Sequence, residues 1–108
     1  MVWVVLTLAG IFEIVWAVGL KYTEGFTKVV PSIITVVAMA LSVWFLSIAM
    51  KTLPLGISYA IWTGIGIIGT TIIGIFLFGD SASIVKVVCI SLILIGILGL
   101  RLSTYLSG

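Results

Sequence analysis

The hydrophobic positions of the chain fall into four long blocks, separated by three short polar segments. We predict membrane-spanning helices over about residues 2–20, 29–50, 57–78 and 84–103. Each block matches the roughly 20 apolar residues that a spanning helix needs. The connections between the blocks are so short that consecutive helices must be neighbours. The pattern therefore predicts an all-α membrane protein, in which residues 1–108 form a single four-helix transmembrane domain.

The composition agrees with a membrane location and argues against several classes of function. Hydrophobic residues make up 63% of the chain and charged residues 7%, whereas soluble domains usually carry about 25% charged residues. The net charge of +2 is small and scattered, so we expect no nucleic-acid partner. Without histidine, and with Cys89 as the single cysteine, the chain can assemble neither a metal cluster nor a Cys–His nucleophile. We expect no cofactor and no enzymatic activity.

Glu13 is the only acidic residue that falls deep inside a predicted span. An acidic side chain at that depth costs roughly 2.5–3.5 kcal/mol on insertion scales, and such residues usually serve ion or substrate pathways. No lysine or arginine lies at a matching depth to pair with it. An interhelical hydrogen bond is the alternative role. A carboxyl group that holds either a proton or a cation is the minimal unit of an exchanger, and we predict this role for Glu13.

Small and aromatic side chains are predicted to surround Glu13 on its own helix. Gly10 shares its helical face, where it either leaves space beside the carboxylate or allows close helix packing. Trp16 lies three residues further along and can lean toward the same cavity. Ser42, midway along the second span, is a further candidate hydrogen-bond donor to Glu13.

The third span carries a second polar and aromatic cluster, because Tyr59, Trp62, Thr63 and Gly66 share one helical face. The tyrosine hydroxyl and the indole N–H can donate hydrogen bonds to a carboxylate, and their rings can wall a cation. Tyr59 could instead belong to an aromatic belt at the membrane interface. The span is also rich in glycine, which in membrane helices marks either kinks or close contacts. The spacing leaves both possibilities open.

The basic residues at the helix ends are divided almost evenly between the two sides of the membrane. Lys21, Lys28 and Lys86 fall on one side, and Lys51 and Arg101 fall on the other with the amino terminus. Lysine and arginine in short loops set the orientation of membrane proteins. A division of three against two therefore predicts insertion in both orientations, or a weak bias toward one. Two oppositely inserted copies would pair as an antiparallel, dual-topology homodimer, which is an inverted repeat of the kind many transporters use.

Three segments of the chain resemble the small multidrug resistance family of transporters. They are GIFEIVWA at 10–17, EGFTKVVPS at 24–32 and PLGISYAIWTGIG at 54–66. The resemblance covers nearly the whole length. It implies a multi-pass protein of the cell membrane that works as an antiparallel homodimer of four-helix subunits and exchanges protons for cationic substrates across the lipid bilayer.

Within that family the chain looks most like the guanidinium-exporter branch. Trp16 and Ala17 follow the glutamate, and KTLPLG at 51–56 precedes the third span. Multidrug-exporting relatives usually have a small residue in place of Trp16. This resemblance implies proton-coupled export of guanidinium and small guanidinyl cations through a central pair of Glu13 residues.

The resemblance also assigns the site: Glu13 binds substrate and protons, and the residues that line or orient it are Gly10, Trp16, Ser42, Tyr59 and Trp62. Guanidinium is planar, and its N–H groups match a carboxylate bidentately. A quaternary ammonium relies on charge and aromatic faces instead. A glutamate with two tryptophans could serve either ion, so a proton-coupled exporter of hydrophobic quaternary ammonium cations is the alternative.

Overall fold

The computed structural model describes residues 1–107 and consists of four α-helices joined by short connections. The helices are α1 Val2–Thr23, α2 Val29–Ala49, α3 Leu55–Leu77 and α4 Ile84–Ser107. All four are long and apolar enough to cross a membrane. The structure thus confirms the predicted class, an all-α protein with four membrane-spanning helices.

The helix ends differ from the predicted ones by up to four residues. The α1 helix continues past Leu20 to Thr23, whose hydroxyl donates to the Leu20 carbonyl at 2.7 Å and accepts from the Phe26 N–H at 3.2 Å. The chain leaves the helix at Glu24, where φ is 49°. Left-handed residues of this kind commonly end helices. The end of α1 is therefore fixed by local hydrogen bonds that the hydropathy pattern does not record.

The packing places α1 at the centre of the bundle. It packs against both α2 and α3, and α3 in turn packs against α4. The buried apolar core lies in the half of the bundle that holds the amino terminus and consists of Leu6, Ala9, Leu46, Ala49, Leu53 and Ile61. In the other half, the contact between α1 and α3 leaves clefts rather than a filled core.

Contacts at the two ends of the bundle show which segments share a side of the membrane. The Lys21 ammonium lies over the ring of Phe78, 4.7 Å from its centroid, so the end of α1 meets the end of α3. The Arg101 guanidinium lies 5.1 Å from the centroid of the Trp3 ring, so the last turns of α4 meet the start of α1. The two basic groups therefore lie at opposite ends of the bundle, on the sides to which the sequence assigns them.

Candidate functional site

Glu13 lies midway along α1, and its carboxyl group rests against the backbone of α3 at Gly66. A Cβ atom at position 66 would overlap the Glu13 carboxyl group. Gly69, one turn further along α3, accommodates the side chain of Ile14 in the same way. At these two positions the glycines of the third span therefore allow close contact between α1 and α3, which was one of the two roles that the sequence left open.

The carboxyl group lines a cleft of about 150 Å³ between α1 and α3. The residues lining this Glu13 cleft all come from these two helices: Glu13, Trp16, Ala17, Thr63, Gly66, Ile67 and Thr70. A dry protein cavity of about 150 Å³ is known to hold benzene. The cleft consequently has room for a small planar ion.

Three polar atoms of the Glu13 cleft are buried and have no hydrogen-bond partner among residues 1–107. They are Oε1 of Glu13, Nε1 of Trp16 and Oγ1 of Thr63. Buried polar atoms are nearly always paired, and an unpaired one costs about 1–3 kcal/mol. A carboxyl oxygen, an indole N–H and a hydroxyl are therefore unpaired on residues that line one small cleft, and the two oxygens can accept hydrogen bonds from a small cation that carries N–H groups.

A second cleft lies next to the Glu13 cleft, toward one end of the bundle. Its volume is about 200 Å³, and it shares Ala17 and Thr70 with the Glu13 cleft. It reaches Lys21, Phe78 and Asp80, which lie at the end formed by the first and third connections. The clefts beside Glu13 therefore extend toward the end of the bundle that carries the first and third connections.

Ser42 and Trp62 belong to a hydrogen-bond chain that does not include the carboxyl group. Ser42 is fully buried, donates its proton to the Ala9 carbonyl at 2.6 Å and accepts the indole N–H of Trp62 at 2.9 Å. Each side chain has one proton to donate, so neither donates to Glu13. The expectation of direct hydrogen bonds from these two residues is corrected here: Ser42 instead ties α1 to α2 and fixes the indole of α3.

The other predicted residues lie near the Glu13 cleft without lining it. Gly10 is buried one turn before Glu13, where a Cβ atom would come within 2.6 Å of the Ile65 side chain, so it serves close packing of α1 on α3. Tyr59 is 55% exposed, and its ring packs at a tilt against Trp62 with 5.6 Å between centroids. Of the predicted site residues, only Glu13 and Trp16 line this cleft.

Thr63, like Thr70, is a polar residue of the cleft to which the sequence gave no separate role. Its helical face, shared with Trp62 and Gly66, was the available signal. A threonine in a membrane helix commonly bonds to a carbonyl of its own helix, so its type and position alone did not distinguish a ligand contact from a structural residue.

The contact at Gly66 yields a direct test of the cleft. We expect Gly66→Ala to keep the fold, because the atoms it meets are the far end of a flexible side chain, but to displace the Glu13 carboxyl and reduce transport about tenfold or more. Gly56→Ala is the matched control, since a Cβ atom there meets no described atom within 4 Å. Initial transport rates of purified, reconstituted protein measure the effect. Equal rates in the two variants would contradict the assignment of the cleft.

Four helices long enough to span a membrane, with a carboxyl group that lines a cleft between two of them, define a small integral membrane protein with an acidic side chain inside its spans. The chain belongs to the small multidrug resistance family: the family model described as Small Multidrug Resistance protein matches residues 1–93. The protein is accordingly a multi-pass protein of the inner membrane. Every residue of the Glu13 cleft falls within the matched range.

Curated relatives match the chain over nearly its full length. The Guanidinium exporter of Yersinia pseudotuberculosis serotype I (strain IP32953) is 55% identical over 104 residues, which are 96% of this chain and 100% of that relative. The Guanidinium exporter of Citrobacter freundii is 56% identical over 105 residues, 97% of this chain and 100% of its own length. That of Proteus vulgaris is 57% identical over 104 residues, with coverage of 96% and 100%.

Proposed function

We propose that the protein exports guanidinium and small guanidinyl cations in exchange for protons, and that Glu13 binds both. The observation that carries the proposal is the Glu13 carboxyl group, which has a buried, unpaired oxygen among the described residues and lines a cleft the size of a small planar ion. The names of relatives at 55–57% identity favour guanidinium as the substrate.

Exchange follows from competition for the carboxyl oxygens. A guanidinium ion binds a carboxylate through two parallel N–H···O bonds, and these bonds need both oxygens free of a proton. The indole of Trp16 lines the same cleft and offers a flat face to a planar cation. A proton that binds Glu13 removes the charge that holds the cation. Each ligand therefore releases the other, and the carrier returns across the membrane loaded with one of them.

We further propose that two copies of the protein form an antiparallel homodimer in which the two Glu13 residues make a central pair. Among the described residues of one copy, those that wall the Glu13 cleft belong to α1 and α3. No residue in the most apolar stretch of the α4 span Ile84–Thr104 is buried, so this helix adds little to the core of a single copy and offers apolar surface to a second one. The near-even division of basic residues favours insertion in both orientations.

In this dimer each subunit, residues 1–108, contributes one four-helix domain and one copy of the binding residues. Glu13 and Trp16 contact the cation and line its cleft. Ser42 supports the indole of Trp62 through the bond at 2.9 Å, and the tilted Tyr59 and Trp62 rings form an aromatic wall of the shared site. Gly10 lets α1 and α3 approach closely beside the carboxyl group.

Proteoliposome flux measurements test the function. With an imposed proton gradient, we expect the purified protein to concentrate guanidinium and methylguanidinium, and to transport tetraethylammonium at least tenfold more slowly, because the latter has no N–H group for the carboxylate. Protein-free liposomes and liposomes with the gradient collapsed by a protonophore are the controls. Preferential transport of tetraethylammonium would instead establish the quaternary ammonium exporter, and guanidinium flux unaffected by the protonophore would refute proton coupling.

A further inference from the structure

We propose that the hydroxyl of Thr63 accepts a hydrogen bond from an N–H group of the bound cation and sets the preference for guanidinyl cations over quaternary ammonium ions. This inference rests on the proposed function and adds a specificity-determining residue to it. Thr63 lies on α3 three residues before Gly66, the point at which the backbone of α3 meets the Glu13 carboxyl group.

The hydroxyl of Thr63 has no hydrogen-bond partner among the described residues. Its Oγ1 atom is buried, and the residue lines the Glu13 cleft. Threonine hydroxyls in helices commonly bond to a carbonyl three or four residues earlier. Thr70, which lines the same cleft, does so: its hydroxyl donates to the Gly66 carbonyl at 2.7 Å. Thr63 makes no such bond among the described residues, although it lies on the same helix, three residues before Gly66.

The hydroxyl of Thr63 has a role that the other unpaired atoms of the cleft residues, on Glu13 and Trp16, cannot fill alone. Guanidinium carries more N–H groups than one carboxylate can accept, and each N–H that is buried without an acceptor weakens binding. The Trp16 indole is a donor only and cannot accept any of them. Among the unpaired buried atoms lining the described cleft, Glu13 Oε1 and Thr63 Oγ1 are therefore the acceptors.

This arrangement discriminates between cations by their donors. A guanidinyl cation can bond to Glu13 and Thr63 together, so that its charge and a further N–H are both satisfied. A quaternary ammonium has no N–H group and gains nothing from the hydroxyl. A site built to hydrogen-bond a substrate rejects an analogue without the hydrogen-bonding group, because its own polar groups are then left unpaired.

Binding of guanidinium and of tetramethylammonium to the purified full-length protein tests the proposal, with quenching of tryptophan fluorescence as the readout. We expect Thr63→Val to weaken guanidinium binding on the order of tenfold and to change tetramethylammonium binding less than about twofold. Thr63→Ser should restore guanidinium binding, because it keeps the hydroxyl. Thr7→Val is the matched control: Thr7 is exposed, outside the Glu13 cleft, and bonded to its own helix at the Trp3 carbonyl.

The outcomes separate the inference from the function on which it rests. Guanidinium affinity in Thr63→Val equal to that of the unmodified protein overturns the inference, as does an equal loss for both cations. If Thr63→Val does not yield folded protein, Thr63→Ala replaces it, with the same expected loss of guanidinium selectivity. If the unmodified protein binds guanidinium but does not transport it, the proposed function fails, and the role of the hydroxyl in binding is still decided by the same titrations.

Discussion

Glu13→Gln is expected to abolish guanidinium export and guanidinium-driven proton release together, with the fold retained. Glutamine has nearly the shape of glutamate, so it fits against Gly66 in the space that the carboxyl group occupies. It has no negative charge for a cation and no proton to exchange. Removal of one partner of a buried ion pair costs roughly 3–5 kcal/mol, which corresponds to an affinity loss of more than about a hundredfold.

The measurement uses reconstituted protein with a pH-sensitive dye inside the liposomes and labelled guanidinium outside. Glu24→Gln is the matched control, because Glu24 is exposed and its ion pair with Lys28, at 3.8 Å, lies on the surface. Exposed pairs of this kind contribute little to stability, so the control should transport normally. Coupled transport that survives in Glu13→Gln would favour the alternative, in which the residue serves only as an interhelical hydrogen-bonding group.

The depth of each residue in the membrane could be predicted from the apolar blocks of the sequence, and this was enough to single out Glu13. An acidic residue in an apolar block costs free energy whichever way its side chain faces, so its type and position predict a site residue. Four spans followed from block length in the same way. These features depend only on the distance of a residue from the membrane surface.

Contacts between helices could not be predicted, because they depend on rotation and separation as well as on depth. Ser42 lies at the right depth to reach Glu13, yet the close approach of α2 to α1 presents the Ala9 carbonyl to its hydroxyl first. The glycine pattern of α3 is equally ambiguous until the partner helix is known, and only then does Gly66 emerge as the place where Glu13 fits. The unpaired hydroxyl of Thr63 likewise depends on how α3 is rotated against its neighbours, which the sequence alone does not give.

The orientation in which the chain inserts into the membrane is the subject of the second prediction with a large expected effect. Few charged residues determine this orientation. The bundle holds Lys21 at the end of Phe78 and Arg101 at the end of Trp3, so the two ends present basic groups to opposite sides of the membrane. With a division of three against two, the free-energy difference between the two insertions is small. We expect carboxyl-terminal reporter fusions of the unmodified protein to be found on both sides in comparable amounts.

Two variants with opposite charge bias should each lose guanidinium export when expressed alone. The first biased variant carries Lys51→Gln and Ala82→Lys, which changes the division from three against two to four against one. The second biased variant carries Lys28→Gln, Lys86→Gln and Thr52→Lys, which reverses it to one against three. Each variant alone should insert in one orientation. Neither can then form an antiparallel pair with itself, so guanidinium export from cells should fall by an order of magnitude or more.

Coexpression of the two biased variants should restore export, because one copy of each supplies the two opposite orientations and brings two Glu13 residues to a common site. This rescue is the critical control: recovery excludes damage to the fold or to the Glu13 cleft as the cause of the loss in either variant alone. Full activity of the first biased variant by itself, with its reporter on one side only, would refute the antiparallel dimer. A single orientation of the unmodified protein would refute dual topology. It would mean that the two orientations differ in insertion free energy by more than the division of basic residues indicates.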